Sequence, residues 1–185
     1  MNQKIYVFVG MAGSGKSLAV KYLESKGMPS AYFGGITLEE VKHRRLKVNE
    51  ESEKLVREDL RKNYGKGYYA KKIILQIEQY IKQGFTNIVV DGLYSWSEYK
   101  IFKAKYGESS VIIAISAPLK LRHSRLAQRT NRPLTEEGAT KRDYAEIENS
   151  EKGGPIANAD YTIVNDGAIR ELQARIDEIL SQTKS

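Results

Sequence analysis

Cysteine is absent from the 185 residues. That excludes disulfides and thiolate-held metals, and it suits the cytosol. No run of about 18 apolar residues occurs, so no membrane-spanning helix is expected. The chain enters a strand pattern directly, without the charged start and apolar stretch of a secretory signal; a cytoplasmic location is expected. No repeat with a period of about 20–50 residues is visible, which excludes solenoids and propellers. Low-complexity stretches and dividing linkers are also missing, so one domain over residues 1–185 is expected.

What is present is an ordinary globular composition. Hydrophobic residues make up 41%, enough for a core in a chain of this length. Lys and Arg number 30 against 23 Asp and Glu, a net charge of +7. Two partners fit such a surplus. Nucleic acid is drawn to a basic surface by counterion release, and a polyphosphate pocket needs basic residues gathered in space. The second ranks first here, because a phosphate motif stands near the start of the chain.

Residues 5–9, Ile-Tyr-Val-Phe-Val, are β-branched and aromatic and read as a buried strand. A helical pattern runs from Lys16 until Gly27 and Pro29 stop it. Residues 31–33 read as a second strand ending at Gly34-Gly35, and Thr37 with Glu40 reads as a capping box. Residues 50–63 suggest an exposed polar helix, and residues 72–82 a helix with an isoleucine stripe. Later strands fall at 87–91, 111–115 and 161–164. Ser95 with Glu98 marks a second capping box, Pro118 a helix start, and 168–181 a final helix. Continuous apolar strands alternating with helices predict a parallel sheet covered on both faces, a three-layer α/β fold. Ligands then belong at the carboxyl ends of the strands.

Gly10-Met11-Ala12-Gly13-Ser14-Gly15-Lys16-Ser17 fits the pattern G-x-x-x-x-G-K-[ST]. Glycines let backbone N–H groups approach an anion closely. The helix that follows presents its positive N-terminus to phosphates. Lys16 is expected to reach the β and γ oxygens of ATP, and the Ser17 hydroxyl to ligate Mg²⁺. Asp91 ends a hydrophobic strand, where a carboxylate can hold Mg²⁺ through water; its other reading is a turn former with Gly92.

Arg122, Arg125, Arg129 and Arg132 are spaced three, four and three, which places them on one face if all are helical. Lys141 and Arg142 follow. Arginines stabilise the charge that phosphoryl transfer spreads over equatorial oxygens, and a closing segment could deliver them. The plainer reading is a solvated basic face. His43 and His123 lack metal-ligand spacing and read as surface residues. Tyr64, Tyr68 and Tyr69 read as packing under a loop rather than base stacking.

Together these motifs resemble the nucleoside-monophosphate-kinase branch of P-loop proteins, dephospho-CoA kinases and adenylate-kinase-related proteins above all. The resemblance covers nearly the whole chain. It rests on the phosphate loop, Val90-Asp91-Gly92, Arg122 to Arg132, Arg142-Asp143, and the closing stretch from Ala159 to Gly167. It implies a P-loop NTPase fold with a five-stranded parallel sheet of order 2-3-1-4-5. An acceptor-binding segment would fall at about 36–70 and a lid at about 125–150. By the same resemblance Arg129, Arg132 and Arg142 are lid arginines, with Arg125 beside them, and Asn165 and Gly167 lie next to the adenine of ATP. Arg61 matches an arginine of the acceptor-side helix. Relatives often carry Asp and then Arg just after the second strand; here Gly35 and Leu38 stand there. Tyr94 stands where an arginine often follows the Asp-Gly turn. The acceptor site is thus assigned to Gly35, Arg61 and Tyr94, of which Arg61 keeps the relatives' residue and Gly35 and Tyr94 depart from it.

The expectation is a small-molecule kinase that uses ATP and Mg²⁺ on a nucleotide-like acceptor, a nucleoside monophosphate or dephospho-CoA. Two other readings share the motif. One is a nucleic-acid-associated ATPase or polynucleotide 5′-kinase, motivated by the basic segment from Lys120 to Arg142. The other is a nucleotide-binding module without transfer activity, motivated by Gly35 and Leu38.

Overall fold

The computed structural model describes residues 3–130 and 132–183. Its five strands are β1 (Lys4–Val9), β2 (Ser30–Tyr32), β3 (Asn87–Asp91), β4 (Ser110–Ser116) and β5 (Tyr161–Val164). They form one parallel sheet of order β2-β3-β1-β4-β5. The helices are α1 (Lys16–Ser25), α2 (Phe33–His43), α3 (Glu50–Tyr64), α4 (Tyr68–Lys82), α5 (Trp96–Tyr106), α6 (Leu119–Ala127), α7 (Glu136–Glu148), α8 (Gly153–Ala157) and α9 (Ile169–Gln182).

The unbroken apolar run of β1 follows from its central place. Ile5, Val7 and Val9 enter a core with Val56, Tyr69, Ile73, Ile77 and Phe102 from α3, α4 and α5. Tyr6 and Phe8 point the opposite way, onto Ala19 and Leu23 of α1 and Leu172 and Ile176 of α9. A strand covered on both faces has no polar side to alternate with. A third, small cluster of Ala12, Leu126 and Ala139 packs the α6–α7 region onto the loop after β1.

Because β1 pairs with both β3 and β4, the chain leaves it in two directions. The crevice beyond the carboxyl end of β1 is therefore the switch point of the sheet. The loop after β1, the end of β3 and the turn after β5 converge there.

Several local expectations change. Gly34 and Gly35 are the first turn of α2 rather than the end of a strand. A side chain at Gly34 would collide with the Tyr32 ring, so the glycines make room for that tyrosine. Thr37 is consequently no cap. It is buried in α2, and its hydroxyl shares a 2.8 Å hydrogen bond with the Tyr69 hydroxyl. Ser95 does cap α5 by accepting from the Glu98 N–H at 3.1 Å. Glu98 answers one residue earlier than a capping box requires, accepting from the Tyr94 N–H at 2.9 Å. Helix α6 ends at Ala127, so Arg129 and Arg132 leave the stripe begun by Arg122 and Arg125.

Candidate active site at the phosphate loop

The loop between β1 and α1 carries three glycines at positive φ: Gly10 at 145°, Gly13 at 79° and Gly15 at 107°. An added Cβ at Gly10 would strike the Ile115 carbonyl, at Gly13 the Arg122 carbonyl, and at Gly15 the Asn165 amide. Backbone conformation and close packing both demand glycine at these positions. Lys16 opens α1 and folds back over the loop. Its ammonium donates to the Gly10 carbonyl at 2.7 Å and to the Met11 carbonyl at 3.1 Å. Burial, reinforced by the charge of Lys152, lowers its pKa to about 7.

Asp91 ends β3 one strand away from the loop. The Ser17 hydroxyl lies close enough to its carboxyl to favour the charged form. Burial pushes the Asp91 carboxyl up, while Lys16 and Lys152 pull against that shift. No group of three or more His, Cys, Asp or Glu able to hold a metal exists among the described residues. A hard cation here would have to share its coordination with phosphate oxygens and water, as Mg²⁺ does in nucleotide sites. One hydroxyl beside one carboxylate is the donor set that chemistry needs.

The segment after α6 closes the other side. Arg122 is buried and grips the Asp143 carboxylate through two bonds, 2.9 and 2.8 Å, while donating to the Ala12 carbonyl at 3.0 Å. His123 joins the same carboxylate at 3.1 Å, so it is a partner of Asp143 rather than a surface residue. Burial raises the Asp143 pKa, but these two partners outweigh it and the net shift is downward. Glu146 of α7 accepts from the Ala12 N–H at 3.3 Å. It also pairs with Lys152 at 2.8 Å and with Arg142 at 3.2 Å. Burial would raise the Glu146 pKa; the opposing charges of Lys152 and Arg142 hold it at about 2.

A UPF0200 protein of Thermococcus kodakarensis is 36% identical over 96% of this chain and 99% of its own length. The chain belongs to the UPF0200 family. A second UPF0200 protein, from Sulfurisphaera tokodaii, is 38% identical over 97% of both chains. No protein-family model matches the chain. Three solved structures share the fold. TT1252 from Thermus thermophilus aligns with a TM-score of 0.67 at 16% identity over 100% of both chains. A shikimate kinase from Acinetobacter baumannii gives 0.57 at 17%, covering 98% of this chain and 95% of its own. A dephospho-CoA kinase from Campylobacter jejuni gives 0.53 at 18%, covering 98% and 97%. The chain thus shares its overall fold with these three structures, two of them kinases.

The arginines of the UPF0200 chain fall into different roles. Arg125 donates to the Asn165 carbonyl at 3.0 Å. Arg132, at φ 57°, pairs with Glu53, and Arg142 reaches Glu50 at 3.5 Å; both acidic partners belong to the start of α3. Arg129 is exposed at its surface but crowded by its neighbours; partial desolvation, then the nearby charges of Arg142 and Arg132, lower its pKa. The three lie near one another, with Arg132 and Arg142 tying the segment after α6 to the start of α3. Arg61 sits elsewhere, on the fully buried Glu98 at 3.1 Å and over the Tyr69 ring.

Asn165 spends its side chain on the loop, donating to the buried Ser14 carbonyl at 2.8 Å. Gly167 leaves space that Glu171 fills. Gly35 supplies no functional group. Tyr94 packs edge-on to Phe33 and lies under the Lys152 ammonium, 4.8 Å from its ring centroid. Burial, with the charge of Asp91 nearby, pushes its hydroxyl pKa well up. Sequence reasoning missed Glu146 and Lys152. Glu146 carries one readable signal, since it stands four residues after Arg142 on one helix. Lys152 carries none: its role comes from burial beside a loop 136–142 positions earlier in the chain.

Proposed function

We propose that this protein is an ATP-dependent phosphotransferase acting on a small, nucleotide-like acceptor. One observation carries the reading: the strand–loop–helix of β1, residues 10–17 and α1 sets Lys16 and Ser17 against Asp91 at the switch point of the sheet. Residues Gly10, Met11, Ala12, Gly13, Ser14 and Gly15 would wrap the phosphates, with Arg125 and Asn165 bracing the loop from the turn after β5. Gly167 follows in that turn. Ser17 and Asp91 would hold Mg²⁺, which neutralises phosphate charge when bound. Lys16 turns from the loop's own carbonyls toward the β and γ oxygens. Arg129, Arg132 and Arg142 act as the arginines of a lid over about 125–150, stabilising charge on the transferred group and excluding water.

The acceptor would enter between the lid and α3, within the segment of about 36–70, near Gly35 and Tyr94 and with Arg61 supporting its wall. No carboxylate stands at Gly35 to take a proton from an alcohol. An acceptor that is already an oxyanion, such as a nucleoside monophosphate, needs no such base. That places monophosphates ahead of dephospho-CoA. A nucleic-acid role loses some support, because several arginines of the basic segment from Lys120 to Arg142 are engaged within the protein: Arg122 with Asp143, Arg125 with Asn165, Arg142 with Glu50.

The test is ATP consumption with Mg²⁺ across nucleoside monophosphates, dephospho-CoA and 5′-hydroxyl oligonucleotides, with Lys16→Ala as the blank. Turnover with a monophosphate that disappears in the blank is expected. Turnover only with oligonucleotides would replace this reading with a polynucleotide kinase, and tight ATP binding without any turnover would leave a binding module.

A further inference from the structure

Two charged residues of the α7–α8 region are placed as if an anion were expected at the loop. Glu146 puts a carboxylate oxygen 3.3 Å from the Ala12 N–H, a backbone donor of the phosphate loop itself. The other end of that residue is fixed, since Arg122 donates to the Ala12 carbonyl. Lys152 is 3% exposed, and its ammonium lies 2.8 Å from the same Glu146 oxygen and over the Tyr94 ring. Arg142 holds the second Glu146 oxygen at 3.2 Å.

A buried ammonium is costly to keep charged, and a paired anion offsets that cost. A purely structural pair would be satisfied by Glu146 and Lys152 alone. Here the carboxylate also takes a donor from the loop, and the lysine is near enough to Lys16 for their charges to oppose each other. Two ammonium groups facing one loop, with Asp91 on the strand side and Glu146 alone bonded to the loop's own N–H, form a receptor for an oxyanion that is filled from within.

We propose that Glu146 is a built-in phosphate surrogate: a nucleotide's terminal phosphate displaces it from the Ala12 N–H and takes over Lys152, which then contacts the phosphate directly. The inference rests on the reading of the loop as a nucleotide site. It adds two things: a second phosphate-binding lysine, and a self-plug that empty protein must open.

The exchange favours ligands that bring their own terminal charge. ATP supplies a group that reaches the plugged position, whereas ADP is one phosphate shorter. Removing the plug therefore helps ATP, and removing Lys152 hurts ATP more than ADP.

Calorimetric titration of full-length protein with Mg-ATP, Mg-ADP and inorganic tripolyphosphate tests this. Glu146→Gln is expected to bind ATP and tripolyphosphate about tenfold more tightly than the native chain, the equivalent of about 1.4 kcal/mol. Lys152→Met is expected to weaken ATP about tenfold and ADP by less than about threefold. Circular dichroism checks folding. Should Glu146→Gln not fold, Glu146→Asp, which keeps the charge but shortens its reach, is expected to tighten ATP by about threefold. A native chain that binds ATP while the Glu146 variants bind it no better, with Lys152→Met affecting ATP and ADP alike, overturns the plug and leaves the nucleotide site standing. A native chain that binds none of the three probes overturns the nucleotide site itself.

Discussion

Asn165 separates two accounts of the turn after β5. Resemblance makes it a neighbour of adenine; geometry makes it a brace. Its amide donates to the Ser14 carbonyl at 2.8 Å, and both residues are buried. Asn165→Ala removes that donor and leaves a buried carbonyl unpaired, at a cost of about 1–3 kcal/mol, with about 2 kcal/mol a fair midpoint. Unfolding entropy near the midpoint is roughly 2.1 cal/mol/K per residue, so a chain of 185 residues carries about 0.4 kcal/mol/K. The ratio gives a drop in Tm of about 5 °C. Asn165→Asp keeps the volume but sets an acceptor against an acceptor, and a larger drop is expected. Differential scanning calorimetry of the three proteins reads both shifts. The brace would be refuted by Asn165→Ala melting within about 1 °C of the native chain.

Two further outcomes follow from the charges around the loop. The Glu146 carboxyl is held at about 2 against an ordinary value of 4.5. A depressed acid stabilises the fold above its unfolded pKa and loses that contribution as pH falls through the folded one. About 3 kcal/mol should therefore disappear between pH 4.5 and about 2, seen as a falling urea midpoint that flattens in Glu146→Gln. The Arg122–Asp143 pair is buried, so Asp143→Asn leaves a guanidinium without its anion and is expected to cost about 3–5 kcal/mol by urea denaturation. The double change Arg122→Met with Asp143→Asn should recover part of that; a double variant no better than the single one would refute a cost dominated by the stranded charge.

How far the sequence could be read depends on how local each signal is. The unit of β1, loop and α1 was legible because its strand propensity, glycines and helix are contiguous, and each supports the same structure. The runs at 87–91 and 111–115 were legible because two-sided burial leaves no polar face. Gly34-Gly35 misled, since paired glycines usually mark a break. Here they begin a helix, and only the Tyr32 ring lying against them explains why. The arginine stripe was half legible: Arg122 and Arg125 share α6, but the helix ends before Arg129. Glu146 lies 134 positions from Ala12 of the loop it serves and Lys152 further still, beyond the reach of any local pattern.

The charge balance at the crevice separates a receptor from an ordinary ion-pair network. Lys16, Arg129, Arg132, Arg142 and Lys152 meet Glu50, Glu53, Asp91 and Glu146. A network serving stability alone pairs its members off. Here Arg129 has like-charged Arg132 and Arg142 beside it, and Lys16 rests on loop carbonyls rather than on a carboxylate. Like charges gathered this way oppose one another until an anion arrives, and the folded chain must hold them together by packing elsewhere. The carboxylates that do pair come from α3 and α7, the two elements flanking the entrance. An entering phosphate therefore gains cations already in place, and the contacts it displaces are those that link the two sides of the crevice. Binding and opening at this site are one electrostatic exchange, so the residues that stabilise the empty protein should be the same ones that set how tightly it holds a triphosphate.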